Sequence, residues 1–305
     1  MKHAKRSGWR PFWAALCAAL LVLLPLVGGT VLLSRAYLHT RLRQAAQSER
    51  SIPVELPRVT DQLTVLLCIA DEQPGFLLAY LNAEQNALDL LVLPAELSVS
   101  FADGTATLAQ CYAAAGPARC REALAVLLAL PEDTRYLALS ESVLERIASR
   151  YGAVRVGFSG AMTADELARY DRTDAVQGIS AADAHAFLTA MDADGIVPPG
   201  HRAAARGAVW DAFFRQNLDL LPTTLPQALR SSSSSLLTDL TALDHPTLER
   251  TLEFLANNSA VPQTQALPGQ WTAGRYTATD ASRAAVQSFF RVSPTDAQAS
   301  SDSEP

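Results

Sequence analysis

Few residues in this chain have the type and spacing to do chemistry. Cys111 and Cys120 flank an eight-residue stretch, 112–119, that contains the helix-breaking pair Gly116-Pro117. Closing that loop in an oxidising compartment adds roughly 2–3 kcal/mol, so we expect a Cys111–Cys120 disulfide, with two unpaired thiols as the alternative. Cys17 lies in a long apolar run, and Cys68 sits in a strand-like stretch where a buried thiol acts as a small hydrophobe. His3, His39, His185, His201 and His245 show no metal-ligand spacing, so no metal site is read. The serine run 231–235 lacks a Gly-x-Ser-x-Gly frame, and no glycine loop could cradle a phosphate. Asp192-Ala193-Asp194-Gly195 is a piece of a calcium loop without its terminal Glu.

The elements that must position such residues are clearer. Three apolar runs at 63–70, 75–81 and 87–93, rich in Leu, Val and Tyr, read as strands. The second and third are joined by the hairpin-length segment Asn82-Ala83-Glu84-Gln85-Asn86, and runs apolar on both faces belong inside a covered sheet. Further strands are expected at 134–139, 154–158, 263–267 and 271–277. Helices are expected at 121–130, 141–151 after Ser140, 164–170 after Thr163, 181–191 after Ser180, 201–218, 236–243, 246–256 and 280–290. This alternation predicts an α/β fold: a three-layer α-β-α sandwich with a central mixed sheet.

With 305 residues and 49% hydrophobic content the chain can bury a large core. Its charge of −6 includes Lys2, Lys5, Arg6 and Arg10, so the body from residue 11 onward carries −10. An acidic body excludes nucleic acid as the main partner. Residues 11–33 are 23 consecutive uncharged positions, long enough as a helix to cross a hydrocarbon core of about 30 Å. We read one N-terminal transmembrane helix, with 1–10 as a cytoplasmic tail because of its basic cluster and Phe12 and Trp13 at the interface. No small-residue cleavage site follows at a suitable distance, which favours an anchor over a cleaved signal. The segment 34–57 is then a connector, 58–291 an extracytoplasmic domain, and 292–305 a disordered tail.

The order of these pieces resembles the LytR-CpsA-Psr family of bacterial cell-envelope proteins. In that family a first strand ends in a Gly-x-Asp-like turn, a second opens on Asp-Thr, and a third leads into Pro-Arg-Asp. The matching text here is Cys68-Ile69-Ala70-Asp71, then 75–82, then Leu93-Pro94-Ala95-Glu96. The segment 108–113 with Gly116, the strand and helix of 136–152, and Leu267-Pro268-Gly269 through 290 also match. The resemblance implies transfer of a glycopolymer from a polyprenyl pyrophosphate carrier to peptidoglycan. Arg forks and a carboxylate-held Mg²⁺ neutralise the pyrophosphate, and an apolar slot under the sheet takes the lipid.

This chain departs from the family at those charged positions. Ala95 and Glu96 stand for the Arg and Asp of Pro-Arg-Asp, and Pro74-Gly75 for Asp-Thr. The segment 187–191 replaces Tyr-Ala-Arg-x-Arg and carries no arginine. Arg206 matches one Arg of a later Arg-x-x-Arg motif, with Ala203 at the other and Arg202 one position away; Asp71 matches the first-strand Asp. Losing one such contact costs on the order of 10²-fold, so losing the set abolishes the family reaction.

We therefore expect a membrane-anchored, extracytoplasmic, non-catalytic binding or scaffold protein of cell-wall polymer assembly, without a cofactor. Asp71, Glu96, Arg202 and Arg206 would line its remnant pocket. Its partners would be a polyprenyl-linked glycopolymer, peptidoglycan or an envelope protein. The alternative is an active phosphotransferase in which Arg202 and Arg206 supply the cations and Asp71 with Glu96 hold Mg²⁺. A sensor role ranks last, because ten cytoplasmic residues are too few for a signalling domain.

Overall fold

The computed structural model describes residues 61–290. The tail 1–10, the span 11–33, the connector 34–57 and the tail 292–305 lie outside the described residues. Among those described, no helix is long and apolar enough to cross a membrane.

The expected three strands form, as β1 (Gln62–Ala70), β2 (Gly75–Asn82) and β3 (Ala87–Leu93). All seven residues of β3 are buried, which explains a run that is apolar except for Asp89. Next come the hairpin β4 (Ser98–Phe101) and β5 (Gly104–Thr107), helix α1 (Leu108–Leu128), strand β6 (Arg135–Ser140) and helix α2 (Glu141–Ala148). A subsidiary unit holds β7 (Val154–Val156), α3 (Ala164–Ala168), β8 (Gln177–Ile179) and α4 (Ala181–Asp194). The chain closes with α5 (Pro199–Asn217), α6 (Leu221–Ser231), β9 (Leu236–Thr238), α7 (Asp244–Asn257), β10 (Gln263–Ala266), the hairpin β11 (Gln270–Thr272) and β12 (Arg275–Thr277), and α8 (Asp280–Phe290).

Six strands make one sheet in the order β10-β3-β2-β1-β6-β9. The β10–β3 and β1–β6 pairs are parallel and the others antiparallel, so the sheet is mixed, as expected. Because side chains alternate across a strand, register sorts them into two rows. Leu66, Leu78 and Leu91 stand opposite one another and pack with α1 and α8; Leu67, Leu77 and Val92 form the adjacent row and face α2, α5, α6 and α7. Each fully buried leucine contributes roughly 1.5–3 kcal/mol, so both rows hold the layers together. A separate cluster built on Phe158, Phe187 and Met191 ties β7, β8, α3 and α4 to α5.

Thr107, Thr163 and Ser180 each make a capping box, which fixes the starts of α1, α3 and α4. Gly116 adopts φ 76° and ψ −174° ahead of Pro117, so α1 kinks where the sequence predicts a break.

Two expectations are corrected. Residues 236–243 are not a helix: β9 pairs Leu137 with Thr238, and Asp239 then accepts from the Tyr136 amide and from Arg121, both at 2.7 Å. The Cys111–Cys120 disulfide is not formed in this structure. Both are free, buried thiols, and Cys120 Sγ donates to the Leu108 carbonyl at 3.8 Å. Burial pushes both thiols above the usual cysteine range.

Candidate functional site

The residues singled out in the sequence come from four elements. Asp71 follows β1 directly, and Glu96 lies in the loop after β3. Arg202 and Arg206 are four residues apart in the first half of α5, so they share one face of it. Helix α4 runs to Asp194, past its expected end at 191, and Gly195 ends it in the left-handed region. That extension keeps Asp192 helical and turned toward α5.

Asp192 joins the two arginines. One of its oxygens accepts from Arg202 Nη1 at 3.4 Å and the other pairs with Arg206 Nη2, while Arg202 Nη2 pairs with Glu96 Oε1. These side chains are sheltered: Asp192 is 6% exposed, Arg202 9% and Arg206 17%. Burial lowers the Arg206 guanidinium to about 10, against the opposing pull of Glu96 and Asp71. The backbone explains part of this placement. A Cβ built on Gly75 would lie 3.8 Å from Arg206 Nε, so Arg206 stands beside the position that matches the Thr of the family's Asp-Thr, directly after Pro74.

Asp71 and Arg206 also line one cavity of about 240 Å³, together with Glu141, His185, Thr189 and Asp192. Away from this polar end its walls are apolar. The sheet supplies Leu67, Leu77 and Leu139, α2 supplies Leu144 and Ile147, and α5 supplies Trp210, Phe213 and Phe214. The cavity therefore lies between the sheet and its helical layer, where an apolar slot is expected.

The polar end holds more than the sequence revealed. Glu141 opens α2, and His185 on α4 places Nδ1 against Glu141 Oε1, with Thr189 Oγ1 at 3.1 Å. Asp71, Glu141 and His185 each present a ligand atom within 4.8 Å of the others. No signal in linear spacing finds such a trio, because the three residues come from separate elements. The calcium-loop fragment, in contrast, is used structurally: Asp192 binds the arginines, and Asp194 accepts from the Ile196 amide at 2.9 Å and from the Tyr170 hydroxyl. The lining is acidic, since Asp71, Glu141, Glu145 and Asp192 outnumber Arg206; Glu96 and Arg202 do not line the cavity.

No family model matches the chain, and no curated protein does. Solved structures do. A protein from Eubacterium siraeum described as a transcription regulator aligns at 18% identity and TM-score 0.64, covering 79% of this chain and 95% of that one. TagT bound to LIIa-WTA aligns at 15% identity and TM-score 0.58, covering 76% and 92%. A LytR-Csp2A-Psr enzyme from Actinomyces oris aligns at 15% identity and TM-score 0.55, covering 76% and 90%. TagT and the Actinomyces oris enzyme are LytR-CpsA-Psr proteins. The fold read from the sequence is therefore the fold these proteins have.

Proposed function

We propose that this chain, with its LytR-CpsA-Psr fold, is a membrane-anchored extracytoplasmic protein that binds a polyprenyl-linked envelope glycopolymer without cleaving its pyrophosphate. One observation carries the reading. Where Arg206 lines the polar end of an apolar cavity, both arginines that could grip a diphosphate are already paired with Glu96 and Asp192. Arg202 spends both Nη atoms and Arg206 spends Nη2 on these carboxylates, which neutralises the charge they could offer a phosphate, and the surplus of carboxylates repels the headgroup.

The family's Mg²⁺ does not fit here. A hard cation needs several oxygens, and Gly75 with Pro74 supplies no side-chain oxygen where the second carboxylate is expected. The lipid chain, in contrast, has walls of Leu, Ile, Phe and Trp to bury against, at about 0.8 kcal/mol per methylene. Anchoring through 11–33 would hold the cavity close to the membrane that carries such lipids.

The test uses the full chain in detergent. A polyprenol and the matching polyprenyl pyrophosphate should bind within about tenfold of each other, a gap of 1.4 kcal/mol. With Mg²⁺ present, the pyrophosphate bond should stay intact. Cleavage, or hundredfold preference for the pyrophosphate, would overturn the proposal. Either result would favour the phosphotransferase reading, which draws on the convergence of two arginines beside the cavity and predicts that Arg206→Ala abolishes cleavage.

A further inference from the structure

We infer that Asp71, Glu141 and His185 form a binding site for a divalent transition-metal ion of the zinc class, open to the apolar cavity. The inference concerns the polar end of that cavity but does not depend on what fills its apolar part. Three separately anchored elements bring the donors together: the end of β1, the first residue of α2, and α4. One ligand atom from each lies within 4.8 Å of the other two. Ligands about 2.0–2.2 Å from a tetrahedral ion stand roughly 3.4 Å apart, so modest side-chain rotations close the site.

The donor chemistry selects the ion. An imidazole nitrogen with two carboxylates suits zinc, manganese or iron, whereas Mg²⁺ takes oxygens and retains its waters. His185 Nδ1 is already turned to Glu141, and the Thr189 hydroxyl at 3.1 Å steadies the ring. Asp71 is exposed, accepts the Glu72 amide at 2.7 Å, and makes no ion pair with any described residue. Both nearby arginines are committed to Asp192 and Glu96. Two carboxylates therefore face one imidazole without a cation of their own, a charge deficit that a divalent ion meets. Three protein ligands leave a position for water or for an oxygen of whatever occupies the cavity.

The experiment strips the full chain with a chelator, then titrates Zn²⁺ by calorimetry and Co²⁺ by its visible ligand-field bands. One ion per chain should bind, and excess Mg²⁺ should not displace it. His185→Ala should remove the Co²⁺ bands and weaken Zn²⁺ by at least about tenfold, the low end of the loss seen even for outer partners. Glu141→Gln, which keeps the side-chain volume, should weaken it as well. His201→Ala should not, because His201 pairs with Glu166 elsewhere. Apo-protein melting curves establish that the variants fold; if His185→Ala fails that check, Glu141→Gln decides. No saturable uptake, uptake unchanged in the folded variants, or equal binding of Mg²⁺ would overturn the assignment.

Discussion

Asp192→Ala probes the central claim that the arginines are committed. Asp192 is 6% exposed and touches both Arg202 and Arg206. Without it Arg202 retains Glu96, but Arg206 keeps only the more distant attraction of Glu96 and Asp71, in surroundings whose burial already lowers it to about 10. Breaking a buried pair from one side costs about 3–5 kcal/mol, because a charge is left out of water and uncompensated. For a domain of this size each kcal/mol lowers Tm by about 2–4 °C, so the melt should drop by roughly 6–20 °C. Thermal unfolding followed by circular dichroism on the full chain reads this directly. Adding Arg206→Met should recover much of the loss, because the stranded charge is gone. A drop worth less than about 1 kcal/mol, within the range of exposed pairs, would mean that water reaches the arginines and their forks are free for anions.

Two further outcomes follow from local geometry. A Cβ at Gly269 would lie 2.4 Å from Tyr276 Cε1 and 2.8 Å from the Thr277 carbonyl oxygen, so Gly269→Ala should cost about 1–3 kcal/mol in urea unfolding; a neutral result would show that the β11–β12 hairpin is not packed as described. Burial pushes Glu166 up, but hydrogen bonds from the Thr163 amide, His201 and the Thr163 hydroxyl together hold it below the usual glutamate range. A lowered folded value means stability present above the unfolded pKa of about 4.3 and lost as pH falls through the folded one. Glu166→Gln should therefore flatten the loss of stability between about pH 5 and pH 3, and an unchanged acid slope would refute the assignment.

Strands 63–70, 75–81 and 87–93 are legible because each is a largely apolar run on a strand that is mostly buried, β3 throughout. Thr163, Ser180 and Gly116-Pro117 mark their helix starts and kink through contacts within a few residues. The run 236–243 misled because Leu-Leu-Thr-Asp-Leu fits either period, and only pairing with β6 at the sheet edge decides it. The resemblance singled out Asp71, Glu96, Arg202 and Arg206 as pocket residues; the structure sets Asp71 and Arg206 in one cavity, with Arg202 and Glu96 paired to each other outside its lining.

It could not say whether those arginines were free. Asp192 looked like part of a calcium loop, and Glu141 and His185 looked like ordinary helix residues. Composition, strand runs and caps depend on neighbours in the chain, so the sequence alone determined the layers, while the apolar slot between them was implied by the family resemblance. Which carboxylate closes on which guanidinium, and which imidazole meets which acid, depends on how β1, α2, α4 and α5 are packed. Charge pairing acts across space between elements distant in sequence, so only the tertiary structure decided it.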